Sequence, residues 1–136
     1  MPVPVEALRA VPFLSGVADR DLAELAGSMG ERDVPAGQDL VTQGTGGIAF
    51  FVVLDGEASV SVDGTERRTI RSGDHFGEIA LIAKDPPRTA TVTATTDVRV
   101  GTLTSWNFKP FVLAHPDVAW SLLETLAKLI TETPGA

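Results

Sequence analysis

The middle of the chain alternates between short apolar segments and turns rich in glycine. Val, Ile, Phe and Thr dominate these segments, and residues 59–62 alternate polar and apolar side chains with the period of two that is typical of a half-buried strand. The pattern predicts strands at residues 50–54, 58–62, 67–70, 90–95 and 98–104. Many short strands at this spacing are typical of a β sandwich or barrel.

The two ends of the chain have a different pattern, with apolar residues three or four positions apart. This spacing predicts a helix over residues 19–29, with Asp19 as its N-cap, and a short helix that Ser105 caps and that runs through Leu113. Pro116 is expected to open a last helix that runs to about Thr131. Its apolar stripe consists of Leu122, Leu123, Leu126, Leu129 and Ile130. The predicted order is therefore helix, β region, helix.

Composition narrows the class of protein. The 136 residues correspond to one domain, and a net charge of −7 argues against a free-standing nucleic-acid binder, which is usually basic. The chain has no cysteine, which excludes thiol chemistry and disulfides and is compatible with the cytoplasm. It has no apolar stretch long enough to span a membrane. With two histidines far apart, it has no nucleophile–base pair or metal cluster, so we do not expect an enzyme or a metal site.

One segment, residues 72–92, interrupts the strand rhythm and carries the candidate chemistry. Residues 78–83 favour a short helix, whose first backbone N–H groups attract anions, and Gly77 allows a ligand to approach the backbone. Arg88 can donate to two phosphate oxygens, with the Thr89 hydroxyl beside it. Glu78 is an acceptor when ionised, so it can bind hydroxyls such as those of a ribose. The residues predict a pocket for one phosphate and one group that carries hydroxyls.

The run Phe76-Gly77-Glu78-Ile79-Ala80-Leu81, followed by Pro87-Arg88-Thr89-Ala90, resembles the phosphate-binding cassette of cyclic nucleotide-binding domains. The resemblance covers about residues 13–130 of what we expect to be a single domain over 1–136. It implies a mainly β fold, a β jelly roll or double-stranded β-helix, with N-terminal helices and a C-terminal lid helix. It also implies a non-catalytic regulatory module that binds cyclic AMP, or less favourably cyclic GMP, without a cofactor.

The family's functional residues carry over onto matching positions. The resemblance implies that Arg88 pairs with the cyclic phosphate and that Glu78 accepts from the ribose 2′-hydroxyl. Backbone N–H groups of residues 77–81 and of Thr89 or Ala90 would complete the phosphate cradle. Leu122, Leu126 or Leu129 of the last helix would cover the base. We expect occupancy of the pocket to move this helix.

Several alternatives stay open beside this interpretation. Glu78 and Arg88 could form a structural ion pair in a domain that has lost its ligand, with the last helix as a homodimerisation or interaction surface. A related class binds haem, for which His75 and the amine of Pro2 could be ligands, but the intact cassette argues against it. We expect His75 to be solvated or packed at a sheet edge. The effector is open, because the chain is either a stand-alone receptor or part of a longer protein.

The two tryptophans lie in the C-terminal helices. Aromatic side chains of this size usually bury a large apolar area. We therefore expect Trp106 and Trp120 to be packing residues.

Overall fold

A computed structural model describes residues 3–44, 49–83 and 88–132. Within these residues eight strands form two four-stranded antiparallel sheets, in the orders β1-β8-β3-β6 and β2-β7-β4-β5. The strands are β1 Gly30–Val34, β2 Asp39–Val41, β3 Ala49–Asp55, β4 Glu57–Val62, β5 Thr65–Arg71, β6 His75–Phe76, β7 Thr91–Ala94 and β8 Val98–Thr104. This two-sheet arrangement is the expected jelly roll.

Helices flank the roll at both ends of the chain, as predicted. They are α1 Val5–Arg9, α2 Asp19–Ser28, α3 Ser105–Ala114 and α4 Pro116–Glu132. Two 3₁₀ helices span Pro12–Leu14 and Glu78–Leu81, and we call the second one the cassette helix. It is shorter than the predicted helix over residues 78–83, although the Ala83 N–H still donates to the Ile79 carbonyl at 2.8 Å.

The five predicted strands are confirmed, and the strand over residues 98–104 has the predicted bounds. Sequence analysis missed β1, β2 and β6. Four of the five residues of β1 are exposed, so the strand lacks the apolar alternation on which the prediction depended. The predicted caps are wrong: Asp19 and Ser105 are the first residues of their helices, and the N-caps are Ala18 and Thr104, without a side-chain capping bond.

Strand β3 is buried on both faces and separates two hydrophobic cores. Phe50 and Val52 face the helices, whereas Phe51 and Val53 face the second sheet. The helical core packs the helices against the first sheet, and Phe13 lies 5.5 Å from Phe50 and 6.1 Å from Phe108 between ring centroids. The inner core lies between the two sheets and consists of Val34, Leu40, Ala49, Phe51, Val53, Ala58, Val60, Ile70, Phe76, Val92, Ala94, Val98 and Val100.

The C-terminal helices bury one side and expose the other. Leu122 is 1% exposed in the helical core, but Trp106 and Trp120 are 60% and 67% exposed. The expectation that both tryptophans are packing residues is therefore wrong, because the faces that carry them point away from both cores. Within the described residues, no helix is both long and apolar enough to cross a membrane.

Candidate functional site

A cavity of about 390 Å³ lies where the inner core meets the cassette helix. Three valines, one from each of β2, β4 and β7, form part of its apolar wall. The predicted site residues that line it are Phe76, Gly77, Glu78, Ile79, Ala80, Arg88, Thr89 and Ala90. Leu81 is the exception, since its side chain is buried in the helical core. The fold thus brings together residues 76–80 and 88–90, which are separated in the sequence.

Arg88 is held against β3 from the edge of the cavity. Its Nη2 donates to the Ala49 carbonyl at 2.6 Å, and its Cζ lies 5.6 Å from the centroid of the Phe51 ring. Its Nε is buried and has no hydrogen-bond partner among the described residues, and burial lowers the pKa of the guanidinium. A partly desolvated cation with an unused donor attracts an anion more strongly than a solvated one.

The backbone of Arg88 is also fixed. Its carbonyl accepts from the Gly44 N–H at 2.8 Å, and the neighbouring Thr91 hydroxyl accepts from the Gln43 N–H at 2.9 Å. These bonds tie the segment that carries Arg88 to the end of β2. The position of the guanidinium is therefore set by the framework of the roll, and not by the cassette helix alone.

Gly77 is the N-cap of the cassette helix and has a φ of 90° in the left-handed region, which favours glycine. A Cβ at this position would lie 2.9 Å from Arg88 Nη1 and 3.1 Å from the Ala49 carbonyl oxygen. The absence of a side chain at Gly77 therefore lets the Arg88 guanidinium reach the carbonyl.

The first turn of the cassette helix offers few backbone N–H donors to a ligand. The Ala80 N–H donates to the Gly77 carbonyl at 3.0 Å, as expected for a 3₁₀ turn. One of the N–H groups that the resemblance assigns to the phosphate cradle is thus bonded within the helix. Arg88 consequently carries a larger share of the anion-binding capacity.

Glu78 lies in the same cavity, with a side chain that is 12% exposed. Its Oε1 is 2.5 Å from His75 Nδ1. Burial by itself would raise the pKa of Glu78, but the hydrogen bonds from His75 and from its own backbone N–H, together with the charges of His75 and Arg68, lower it. The carboxylate is therefore ionised at neutral pH and acts as an acceptor.

This pairing corrects one interpretation of the sequence and adds to another. Among the described residues Glu78 is hydrogen-bonded to His75, and Arg88 donates to a backbone carbonyl, so the Glu78–Arg88 ion pair of the ligand-free alternative is not formed. His75 lies on β6, the edge strand of the first sheet, so the expectation that it packs at a sheet edge is confirmed, but its side chain is 20% exposed and also lines the cavity.

Sequence reasoning also missed Arg68, which lines the cavity. Arg68 is opposite Val60 in the β4–β5 hairpin, and Val60 belongs to the inner core. Because cross-strand partners share one face of a sheet, the alternation around Val60 and the Asp63-Gly64 turn together were a usable signal.

The three leucines expected at the lid occupy different places. Leu129 lines the cavity, with 43% of its surface exposed. Leu122 belongs to the helical core, and Leu126 packs against that core. Of the three, Leu129 is the residue that the structure brings to the cavity.

Two features of the sequence analysis lie outside the described residues. These are Pro87 of the cassette run and Pro2, the second ligand of the haem alternative. Among the residues that are described, no three His, Asp or Glu side chains lie close enough together to hold a metal ion.

Comparison with known proteins identifies the family of this chain. The family model of the cyclic nucleotide-binding domain matches residues 31–115, which is more than half of the chain. The chain belongs to the cyclic nucleotide-binding domain family. Its two-sheet roll with flanking helices is the fold of a regulatory domain in this family.

Particular relatives extend the comparison. The cAMP-dependent protein kinase regulatory subunit of Yarrowia lipolytica is 41% identical over 98 residues, which are 71% of this chain and 26% of that protein. The N-terminal domain of a transcriptional regulator from Streptomyces coelicolor A3(2) superposes with a TM-score of 0.77 at 32% identity, covering 96% of both chains. The regulatory domain of Toxoplasma gondii PKA, solved with cAMP, superposes with a TM-score of 0.75 at 27% identity, covering 95% of this chain and 49% of that one. The chain spans about a quarter of the length of the curated relative.

Proposed function

We propose that the cavity binds a cyclic nucleotide, cyclic AMP in preference to cyclic GMP, and that the chain performs no chemistry on it. The observation that carries the proposal is the Arg88 guanidinium, partly desolvated and with a buried Nε that lacks a partner among the described residues. A cyclic phosphodiester has a single negative charge, which one arginine can balance. The relatives named for cAMP favour the adenine nucleotide.

The rest of the cavity suits the rest of such a ligand. Glu78 offers an ionised acceptor to the ribose 2′-hydroxyl, and Thr89 offers a hydroxyl at the exposed rim. Val41, Val60 and Val92 offer an apolar wall to a purine. We assign Arg88 to the phosphate, Glu78 to the ribose and the backbone of residues 77–81 and 89–90 to the remaining phosphate contacts.

The test is calorimetric titration of nucleotide-free protein with cyclic AMP and cyclic GMP. Arg88→Ala would leave a buried phosphate without its cation, which costs about 2–5 kcal/mol, or roughly 30- to several thousand-fold in affinity. Arg99→Ala is the matched control, because Arg99 lies on β8 in an exposed ion pair with Asp33 at 3.0 Å. Undetectable binding of both nucleotides by the folded wild-type protein would contradict the proposal.

We further propose that occupancy repositions α4. Leu129 reaches the cavity from α4, while Leu122 of the same helix is anchored in the helical core. A ligand that contacts Leu129 would favour one position of the helix over another. Hydrogen exchange in residues 117–131 is expected to slow on saturation with nucleotide, and unchanged exchange there would contradict this coupling.

A second candidate is an interaction module that acts without a ligand. It is favoured by the exposed apolar side chains of α3 and α4, among them Trp106, Trp120 and Leu123. Sedimentation of the nucleotide-free protein tests it. A stable dimer that Leu123→Asp disrupts, together with absent nucleotide binding, would support this candidate over the first.

A further inference from the structure

His75 occupies a place in the cavity to which the function proposed above assigns no role. It lies at the start of β6, three residues before Glu78, and its Nδ1 is 2.5 Å from Glu78 Oε1. Both side chains are largely buried, with 20% and 12% of their surfaces exposed. The bond therefore links the first sheet to the cassette helix inside the binding cavity.

The direction of this hydrogen bond follows from chemistry. An ionised carboxylate can only accept, so the His75 Nδ1–H donates to Glu78 Oε1. The Glu78 backbone N–H also donates to the carboxylate. A carboxylate has about four lone-pair sites, so acceptor positions remain after both bonds are made.

The imidazole ring itself is well supported. Its centroid lies 5.7 Å from that of Phe50, which is 0% exposed in the helical core. In addition, Val52 of β3 is directly opposite His75 in the sheet. Since Phe50 and Val52 both belong to β3, the ring packs against one side of that strand, and a packed donor restricts the rotamers of the carboxylate it binds.

We infer that His75 is a positioning residue that orients the Glu78 carboxylate toward the ribose 2′-hydroxyl and thereby sets the preference for ribonucleotides over 2′-deoxyribonucleotides. The inference rests on the proposed function and deepens it. Arg88 does not supply this orientation, because its guanidinium is bonded to the Ala49 carbonyl. Without His75 the carboxylate must be ordered when the ligand binds, which weakens its bond to the 2′-hydroxyl.

The experiment compares cyclic AMP with 2′-deoxy cyclic AMP by calorimetry. His75→Phe keeps an aromatic ring beside Phe50 but removes the donor, and we expect it to lower the ribose preference by roughly tenfold, the value of one hydrogen bond to a charged group. The affinity for the deoxy ligand should be unchanged. His75→Asn, whose amide donates from a position near that of Nδ1, should restore most of the preference.

Two controls separate positioning from a general structural effect. In a Glu78→Ala background, His75→Phe should have no further effect on the preference, because no side-chain acceptor is left at position 78. His115→Phe removes the other histidine of the chain, which lies 4.0 Å from Asp21 outside the cavity, and should leave the preference at the wild-type value. If His75→Phe does not fold, His75→Leu provides the same comparison.

The outcomes distinguish the inference from the proposed function. Wild-type protein that binds neither ligand overturns both. Wild-type protein that prefers the ribonucleotide by the same factor as His75→Phe overturns the inference and leaves the proposed function standing. An equal loss of affinity for both ligands in His75→Phe also overturns it, since that result indicates a purely structural role.

Discussion

The helical core and the inner core share strand β3 but differ in their relation to the candidate site. In the helical core Phe13 contacts both Phe50 and Phe108, and Leu122 of α4 is buried in the same core. The inner core instead continues into the cavity, where Phe51 lies under the Arg88 guanidinium. Buried apolar contacts contribute stability, whereas a cavity at the end of a core leaves room for polar side chains. Adjacent residues of one strand therefore serve different purposes.

The polar side chains of the candidate site lie at the end of the inner core. The buried residues of both cores are apolar, and the cavity at the end of the inner core adds the polar side chains of Arg68, His75, Glu78 and Arg88. Partial burial strengthens the electrostatic effect of His75, Glu78 and Arg88, because little water screens them, whereas Arg68 is exposed. The comparison shows that the polar side chains of the candidate site lie where the inner core leaves a cavity.

The largest effect on stability is expected in the helical core. Phe50→Ala should lower the free energy of unfolding by about 3–5 kcal/mol, because it leaves a large void among buried rings. Urea unfolding measures this loss. Trp106→Ala is the control, because an aromatic residue that is 60% exposed should change the stability by about 0.5 kcal/mol or less. Similar losses in both variants would break the comparison.

At the cavity, Gly77→Ala should weaken binding of cyclic AMP by roughly tenfold or more. The new Cβ would displace the Arg88 guanidinium, and a positive φ costs a further 1–2 kcal/mol, roughly, in any non-glycine residue. Gly37→Ala is a matched control: Gly37 has the same φ of 90°, but a Cβ there would meet no atom within 4 Å. Equal losses of affinity in both variants would show that backbone strain, and not Arg88, is responsible.

Leu129→Ala should have a smaller effect, a loss of affinity of about tenfold or less, because a half-exposed leucine can bury only part of its side chain against a ligand. Calorimetry is again the measurement. Ile130→Ala is the control, because Ile130 is 61% exposed and is not among the cavity-lining residues. An effect of Ile130 equal to that of Leu129 would contradict the proposed lid.

The smallest expected effect concerns pH. Because the pKa of Glu78 is lowered from its ordinary value near 4.5, the ionised carboxylate stabilises the folded protein above that pH, and the contribution is lost as pH falls through the lowered pKa. The difference in unfolding free energy between wild type and Glu78→Gln should therefore shrink between about pH 5 and about pH 3. Urea unfolding across this range measures it. A difference that grows toward acid would contradict the lowered pKa, and a His75→Phe background should reduce the difference at the upper end.

Much of the architecture was predictable from the sequence, because local patterns determine local elements. The alternation in residues 58–62 and the apolar spacing in residues 116–131 are visible without a partner strand or helix. Strand β1 was missed for the converse reason: its exposed residues gain their strand conformation by pairing with β8. The sequence predicted three site residues, Gly77, Glu78 and Arg88, because a glycine, a carboxylate and a guanidinium this close together are unusual in a region rich in strands.

The sequence by itself determined a β sandwich or barrel with helices at both ends, the positions of the main strands and helices, and the residues of the cassette, whose family resemblance implied the jelly roll. Only the tertiary structure decided which groups meet. It paired Glu78 with His75, placed Arg88 against the Ala49 carbonyl, and brought Leu129 to the cavity while it buried Leu122. The physical reason is that propensity and periodicity act over a few neighbouring residues. Contacts between side chains distant in sequence depend on how the two sheets and the helices pack together.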